Sequence, residues 1–374
     1  MLIRIPKSDL NQALSYAQRI AESKTTMPIL ENVLFSADNN GLRILASDLE
    51  VTVCSTVKTA EIVEEGSVTV KAKTVSDIVR ELPEGIITLS SNEAARVQIK
   101  TDSSTVNVIG ISADEYPELS GIGLTGVHNI KSPVLLEMIN KTIYAVSTDE
   151  TRFNLNGVCF FIDENEKEEK FLKLIATDGH RLASINRPAG DVFFAGQILV
   201  PKKGLNEIKK LLESQGDNDT SMNVVDNFLI LNNENIKLAI RLIDGEFPDC
   251  KKVIPEEVAS LAVVKSGVLL QALKRVALMT SEKGKGVGFS FTTDKLVISS
   301  SSPELGDATE EVDISYKGDD IKVGYNVRYV ADIASSLRED QNLCIDIHGS
   351  SGPAKFFPEG DESYIGVVMP VRLS

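Results

Sequence analysis

One order of elements recurs three times along the chain, and it restricts the fold more than any other feature. In the first copy, Leu10, Ala13, Leu14, Ala17, Ile20 and Ala21 follow the i, i+3, i+4, i+7 spacing of an amphipathic helix over 7–22, with Ser8 as its N-cap. Short apolar strands follow at 33–35, 42–46 and 51–54. The run Val68 to Lys73 then leads into a second helix over 74–82, which Pro83 closes. The copy ends on Glu115-Tyr116-Pro117. In the second copy Ser132 opens a helix with Leu135, Met138, Ile139, Ile143 and Val146 on one face, and Val200-Pro201 leads into a helix over 204–212. This copy closes on Glu246-Phe247-Pro248, again an acid, an aromatic and a proline. The third copy has a helix over 266–279, a helix over 327–337 after Val323-Gly324-Tyr325-Asn326, and a final strand from Tyr364 to Leu373. The lead-ins to the second helix of each copy stand at Val70, Val200 and Val323, spacings of 130 and 123 positions. That period is far too long for a solenoid, so each copy is expected to be an α+β domain with two helices and an antiparallel sheet. The expected boundaries give 1–124, 125–255 and 256–374, with breaks in loops rich in Gly or charge.

Composition excludes several classes. Hydrophobic residues make up 42% and charged residues 25% of the 374, an ordinary globular mixture. No apolar run approaches the ~18 residues of a membrane span, and the N-terminus reads as a strand without a signal peptide's apolar core. Trp is absent, so a stacking platform for nucleic-acid bases is not expected. Cys54, Cys159, Cys250 and Cys344 are scattered without a CxxC, which fits reduced thiols in a cytoplasmic setting and no metal site. With 39 basic against 54 acidic residues the formal charge is −15, and nucleic acid is compatible with it only if the cations cluster on one surface.

The stretch from Leu172 to Ile185 packs the most chemistry into the fewest residues. An apolar strand runs to Ile175, Asp178-Gly179 is a tight-turn signal, and Arg181 to Ile185 resumes a strand. His180 and Arg181 are therefore displayed beside a turn. Three readings fit: a structural hairpin, a pocket for a peptide or small ligand, and a hydrolytic centre in which Asp178 orients the His180 imidazole. No nucleophile or metal cluster accompanies the last of these.

The octapeptide Ala176-Thr177-Asp178-Gly179-His180-Arg181-Leu182-Ala183 resembles the signature of the bacterial sliding clamp family, the beta subunits of DNA polymerase III. The segment Tyr364-Ile365-Gly366-Val367-Val368-Met369-Pro370-Val371-Arg372-Leu373 is similar to that family's C-terminal tail, and the threefold organisation agrees over the whole chain. The resemblance implies a ring of two head-to-tail chains around duplex DNA, with helices lining the hole and sheets outside. It implies a processivity factor without catalytic residues, cofactor or metal. The implied partners are a second copy of the chain, duplex DNA without sequence preference, the replicative polymerase, the clamp loader, and repair and translesion polymerases that dock through a linear peptide.

Carried over residue by residue, the peptide would meet Leu155, Thr177, Gly179, His180, Arg181 and Leu182. It would also meet Pro248, Val253, Val367 and Val368, and the tail residues Met369, Pro370, Val371 and Arg372. Leu278 and Met279 match the family's apolar contact between subunits. The expected DNA-facing cations are Lys24, Lys73 and Arg80 in the first copy, Lys202, Lys203 and Lys210 in the second, and Lys283 and Lys285 in the third. Arg19, Lys141, Lys209, Lys274, Arg275 and Arg328 also fall on or beside helices. Departures from the family pattern are Val371 for a frequent Met, Lys251-Lys252 for a frequent Arg, a terminal Ser374, and the acidic pair Asp149-Glu150 near the expected approach to DNA.

Overall fold

The computed structural model describes residues 1–21, 27–117, 127–280 and 286–373. Its class is α+β: four sheets whose pairings are all antiparallel, and six α-helices among the described residues. The helices are α1 (Lys7–Ala21), α2 (Ala72–Glu81), α3 (Ser132–Asn140), α4 (Lys202–Glu213), α5 (Ser266–Ala277) and α6 (Val327–Ser335), two from each repeated copy. The chain packs as two compact units, Met1–Ser132 with Asn206–Leu242, and Pro133–Leu205 with Ile243–Ser374.

In the first unit α1 buries the six apolar residues of its predicted face, and α2 buries Val75 and Val79 beside Ala72. A Leu or Ile so buried contributes about 1.5–3 kcal/mol, so this stripe holds each helix more firmly than its intrinsic propensity does. Ser8 is not the cap of α1: the helix starts at Lys7, directly from the Leu2–Pro6 strand, and the Ser8 hydroxyl donates to Asp9 (2.9 Å). An eight-stranded sheet runs through this unit. In it Ile236–Arg241 of the second copy pairs with Val51–Val57 of the first, Leu238 opposite Val53. A five-stranded sheet ends on the open edge strand Thr105–Ile109.

The second unit holds a nine-stranded sheet in which Arg181–Pro188 pairs with the C-terminal strand Tyr364–Val368, so this sheet also passes from one copy to the next. Its four-stranded sheet has Gly306–Asp313 as an open edge. The core beneath carries Tyr325 edge-on to Phe289 (5.3 Å between ring centroids) and to Phe356 (6.3 Å).

Three expected elements are shorter than their periodicity suggests. α3 stops at Asn140, because the Thr142 hydroxyl donates to the carbonyls of Met138 (2.8 Å) and Ile139 (3.3 Å), and the chain tightens into a 3-10 turn at Ile143–Ala145. The run from Phe153 to Phe160 reads in the sequence as one strand, but Phe153–Leu155 is a 3-10 turn and the strand begins at Gly157. The final strand ends at Val368, just ahead of Pro370, which has no N–H for a ladder.

Candidate functional site

The Lys170–Thr177 and Arg181–Pro188 strands form the hairpin that the sequence predicts, Thr177 opposite Leu182. Side chains of the turn satisfy its own backbone. Asp178 Oδ1 accepts from the N–H groups of His180 (2.9 Å) and Arg181 (3.0 Å). Thr177 Oγ1 donates to the Arg181 carbonyl (2.6 Å) and accepts from the Gly179 N–H (3.1 Å). Gly179 sits at φ +89, a left-handed conformation that favours glycine; the nearest atom to a Cβ there, Arg152 Nη1 at 2.9 Å, ends a flexible side chain that can move aside. The C-terminal strand then aligns Val368 with Arg181 and Val367 with Leu182, and the Met369 N–H donates to the His180 carbonyl (2.9 Å). Two motifs about 190 positions apart in sequence thus become adjacent strands.

Arg181 faces inward. Its side chain is 11% exposed; Nε donates to Asp178 (3.0 Å) and Nη1 to Asp332 of α6. The guanidinium lies 4.3 Å from the Tyr329 ring centroid and 5.4 Å from that of Tyr144. Asp178 is therefore committed to backbone and Arg181, and no hydrogen bond joins it to the His180 ring. The hydrolytic reading lacks its carboxylate–imidazole pair. Tyr144, Tyr364 and Ser336 continue the network through hydroxyl contacts of 2.8 Å each. Burial pushes the Tyr144 phenol well above its ordinary value and the Tyr364 phenol up to about 12, so both stay neutral donors. Further along the Arg181 strand, Arg187 binds Glu137 of α3 (2.7 and 3.1 Å), which also receives Lys141 (2.8 Å). Burial raises the Glu137 pKa, but hydrogen bonds from Arg187 and Lys141 outweigh it and leave the carboxyl below its usual range.

Leu155, Leu182 and Val367 form a floor with Cys159, Ile175, Leu199, Phe247 and Cys250. Val368 is fully enclosed on the opposite face of its strand and offers nothing to a ligand. His180, Gly179, Pro248, Val253 and Met369 are exposed around the floor, and Thr177 is buried. Past Pro370 the tail leaves the hairpin. The Val371 N–H donates to the Gly324 carbonyl (2.8 Å), and a Cβ on Gly324 would lie 2.4 Å from the Val371 carbonyl oxygen, so glycine is what lets the tail lie there. Arg372 is exposed. No local pattern marks Arg152, Tyr329 or Asp332; an acid within the apolar run Val330-Ala331-Asp332-Ile333-Ala334 is the nearest hint.

Among the expected DNA-facing cations, Lys73, Arg80, Lys203 and Lys210 are exposed and Lys202 half-buried, all on α2 or α4. Arg80 pairs with Asp77 (3.0 Å) and Lys210 with Glu207 (2.7 Å). Lys24, Lys283 and Lys285 lie outside the described residues. Lys141 departs from the expectation: it is buried beside Glu137, 5.0 Å from the Tyr364 ring centroid. Asp149 is occupied by the Thr151 hydroxyl (2.7 Å), the Thr151 N–H (3.0 Å) and Arg152 (3.1 Å), which lower its pKa in that order of family, hydroxyl first. Leu278, just past α5, is 75% exposed, and Met279 is half-buried. All four cysteines are free and buried, and no metal-ligating cluster occurs among the described residues.

Compared with known proteins, residues 1–120, 129–249 and 251–372 match the N-terminal, central and C-terminal domains of the DNA polymerase III beta subunit. The chain is 33% identical to the beta sliding clamp of Caulobacter vibrioides over 345 residues, 91% of this chain and 92% of the relative. It is 30% identical to that of Vibrio cholerae over 373 residues, 100% of both chains. Among solved structures, the sliding clamp of Bartonella birtlesii, bound to griselimycin, aligns with a TM-score of 0.93 at 29% identity over 100% of both chains. The DNA polymerase sliding clamp of Bacillus subtilis does so with 0.93 at 26%, also over 100% of both.

Proposed function

The chain belongs to the DNA polymerase III beta subunit family, the beta sliding clamps, and on that premise we propose how its own residues do a processivity factor's work. Two copies close head to tail around duplex DNA, and the ring tethers the replicative polymerase, the clamp loader and repair and translesion polymerases through linear peptides. The protein does no chemistry of its own and works in the cytoplasm. Its domains divide at 1–124, 125–255 and 256–374.

The observation that carries the peptide reading is the union of the Thr177–Leu182 turn with the Tyr364–Val368 strand over one apolar floor. Aliphatic side chains there accept a partner's Leu or Phe, and Met369 adapts to either. His180 and backbone groups are left to orient the peptide, since Arg181 is engaged within the protein. Exposed cations on α2 and α4 meet phosphates loosely and without sequence preference, as a sliding ring requires. Topology holds the DNA, and tight contacts would only add drag.

Subunit closure is supported by two open edge strands, Thr105–Ile109 in one compact unit and Gly306–Asp313 in the other. Ile109 (81% exposed) and Leu278 (75%) are the most exposed large apolar residues among those described. Arg275 holds the end of α5 to the second edge through a two-pronged contact with Glu310 (2.7 Å each). An edge of one copy against the other edge of its partner is a heterologous contact, which yields a finite particle only when it closes.

Loading onto circular DNA tests the ring: it should stay on the closed circle and run off after linearisation, and equal loss from both overturns encirclement. Deleting Met369 to Ser374 should abolish peptide binding and leave the dimer intact; surviving affinity overturns the peptide site. Leu278→Ala with Met279→Ala should give monomers in sedimentation, and an unchanged dimer mass overturns the interface.

A further inference from the structure

Beside the peptide floor, and sharing Cys159, Ile175, Phe247 and Cys250 with it, lies a cavity of about 700 Å³ with no role in the function described so far. Its walls are the strands Gly157–Glu164 and Lys170–Thr177 and the loop 193–197. The lining is aromatic and aliphatic: Phe161, Phe193, Phe194, Phe247 and Ile254, with Cys159 and Cys250 at the back. Phe193 is 55% exposed at the lip. The buried Cys159 thiol donates to Gln197 Oε1 (3.4 Å).

We propose that this cavity is a second docking site, taking an aromatic side chain from an acidic stretch that flanks the linear peptide of a polymerase partner. The inference rests on the peptide reading above and extends it. Continuity with that site is the first argument. Pro248 stands on the rim of the floor and in the cavity wall, and Cys159, Ile175, Phe247 and Cys250 belong to the same apolar cluster as Leu155, Leu182 and Val367. Charge is the second. On a chain of net charge −15, the mouth carries Lys170, Lys173 and Lys251, with Lys252 next in sequence, against Glu164 and Asp249. Lys170 lies 5.4 Å from the Phe193 ring centroid and Lys173 5.8 Å from that of Phe161, so cations frame the aromatic lip. Lys173 is shared with Asp163 (3.6 Å), whereas Lys251 and Lys252 are exposed and make no ion pair among the described residues. One large side chain takes up the apolar part of the cavity, and acidic neighbours meet those lysines.

Titration calorimetry with two synthetic peptides tests this on the full-length protein. The short one carries only the Leu and Phe side chains suited to the hairpin; the long one adds an upstream flank with a Trp between Asp residues. The long peptide should bind wild type about tenfold more tightly, the scale of one well-buried aromatic anchor. Phe193→Ala should reduce that gain to about threefold or less, and Lys251→Ala with Lys252→Ala should weaken it and its salt dependence together. Neither variant should alter short-peptide affinity or the unfolding midpoint. Equal affinity for both peptides on wild type overturns the second site while leaving the first, and failure to bind either overturns the peptide reading itself. A gain that survives in both variants, or an apolar dye in the cavity that the long peptide does not displace, also overturns the second site.

Discussion

At the hairpin, the Arg181 guanidinium is 11% exposed and shared between two carboxylates, whereas Lys73 on α2 is open to water and has no ion-pair partner among the described residues. Both are cations at proposed binding surfaces, and they act by different physics. Arg181 is desolvated, fixed by its fork of donors, and sets the shape of a specific site. Lys73 is mobile and screened, and belongs to a diffuse field in which no single residue is essential. Recognition of a peptide needs the first kind of group; sliding along DNA needs the second.

The largest effect should come from Arg181→Ala. It leaves Asp178 and Asp332 facing each other without their common cation. Breaking a buried pair costs about 3–5 kcal/mol, and the 42% exposure of Asp332 brings the expected loss to about 2–3 kcal/mol in urea unfolding. Peptide affinity should fall more than about tenfold as the hairpin loosens from α6. A loss below about 0.5 kcal/mol, the scale of a surface pair, would erase the distinction between the two regions.

Thr177→Val comes next. The hydroxyl is buried, donates to the Arg181 carbonyl and accepts from the Gly179 N–H, and valine keeps its shape but neither bond. About 1–2 kcal/mol should be lost, read as a lower urea midpoint with an unchanged slope. Stability equal to wild type would mean that Asp178 alone sets the turn.

These two residues also mark how far the sequence could be read. The hairpin was legible because its determinants are local: an apolar run, Asp-Gly, and a second strand-forming run from Arg181 to Ile185. The six helices were legible for the same reason, through their apolar stripes. The partner of Arg181 was not, since Asp332 is 151 positions away and α6 looks the same with or without that contact. Nor was the inward turn of Lys141, a lysine at helical spacing that reads like any solvated one until Tyr364 and Glu137 are seen to hold it. The repeat pattern marks elements within each copy but not sheet edges, and so it does not show that Ile236–Arg241 continues the sheet of Val51–Val57.

Glu137 tests the same contrast through pH. Its carboxyl is half-exposed, yet Arg187 and Lys141 hold its pKa below the ordinary 4.5. A carboxylate with a lowered folded-state pKa adds stability above its unfolded value and loses it as pH falls through the folded one. Wild type should therefore exceed Glu137→Gln by a steady margin of about 0.5–1 kcal/mol from pH 7 to 5, shrinking below about pH 4.5. Asp361 titrates in the same direction and shares Arg187 with Glu137, so the difference reads this network rather than Glu137 alone. A margin independent of pH would show that folding gives the Glu137 carboxylate no advantage over its protonated form, and that this network resembles the diffuse helical charges more than the Arg181 clamp.

Lys73→Ala should do least, and for that reason it probes the other half of the comparison most directly. The side chain is exposed and alanine is a better helix former than lysine, so α2 should be no less stable. If Lys73 meets phosphate part of the time, its removal lowers the slope of log affinity against log salt by less than the ~0.9 of a full contact. Affinity for a short duplex should fall about twofold, equally for any sequence, in anisotropy titrations across salt concentrations. A loss above about tenfold would mean that Lys73 is held against DNA as rigidly as Arg181 is held against its carboxylates. The helices would then grip the duplex, and a ring built to slide would have to break that grip at every step.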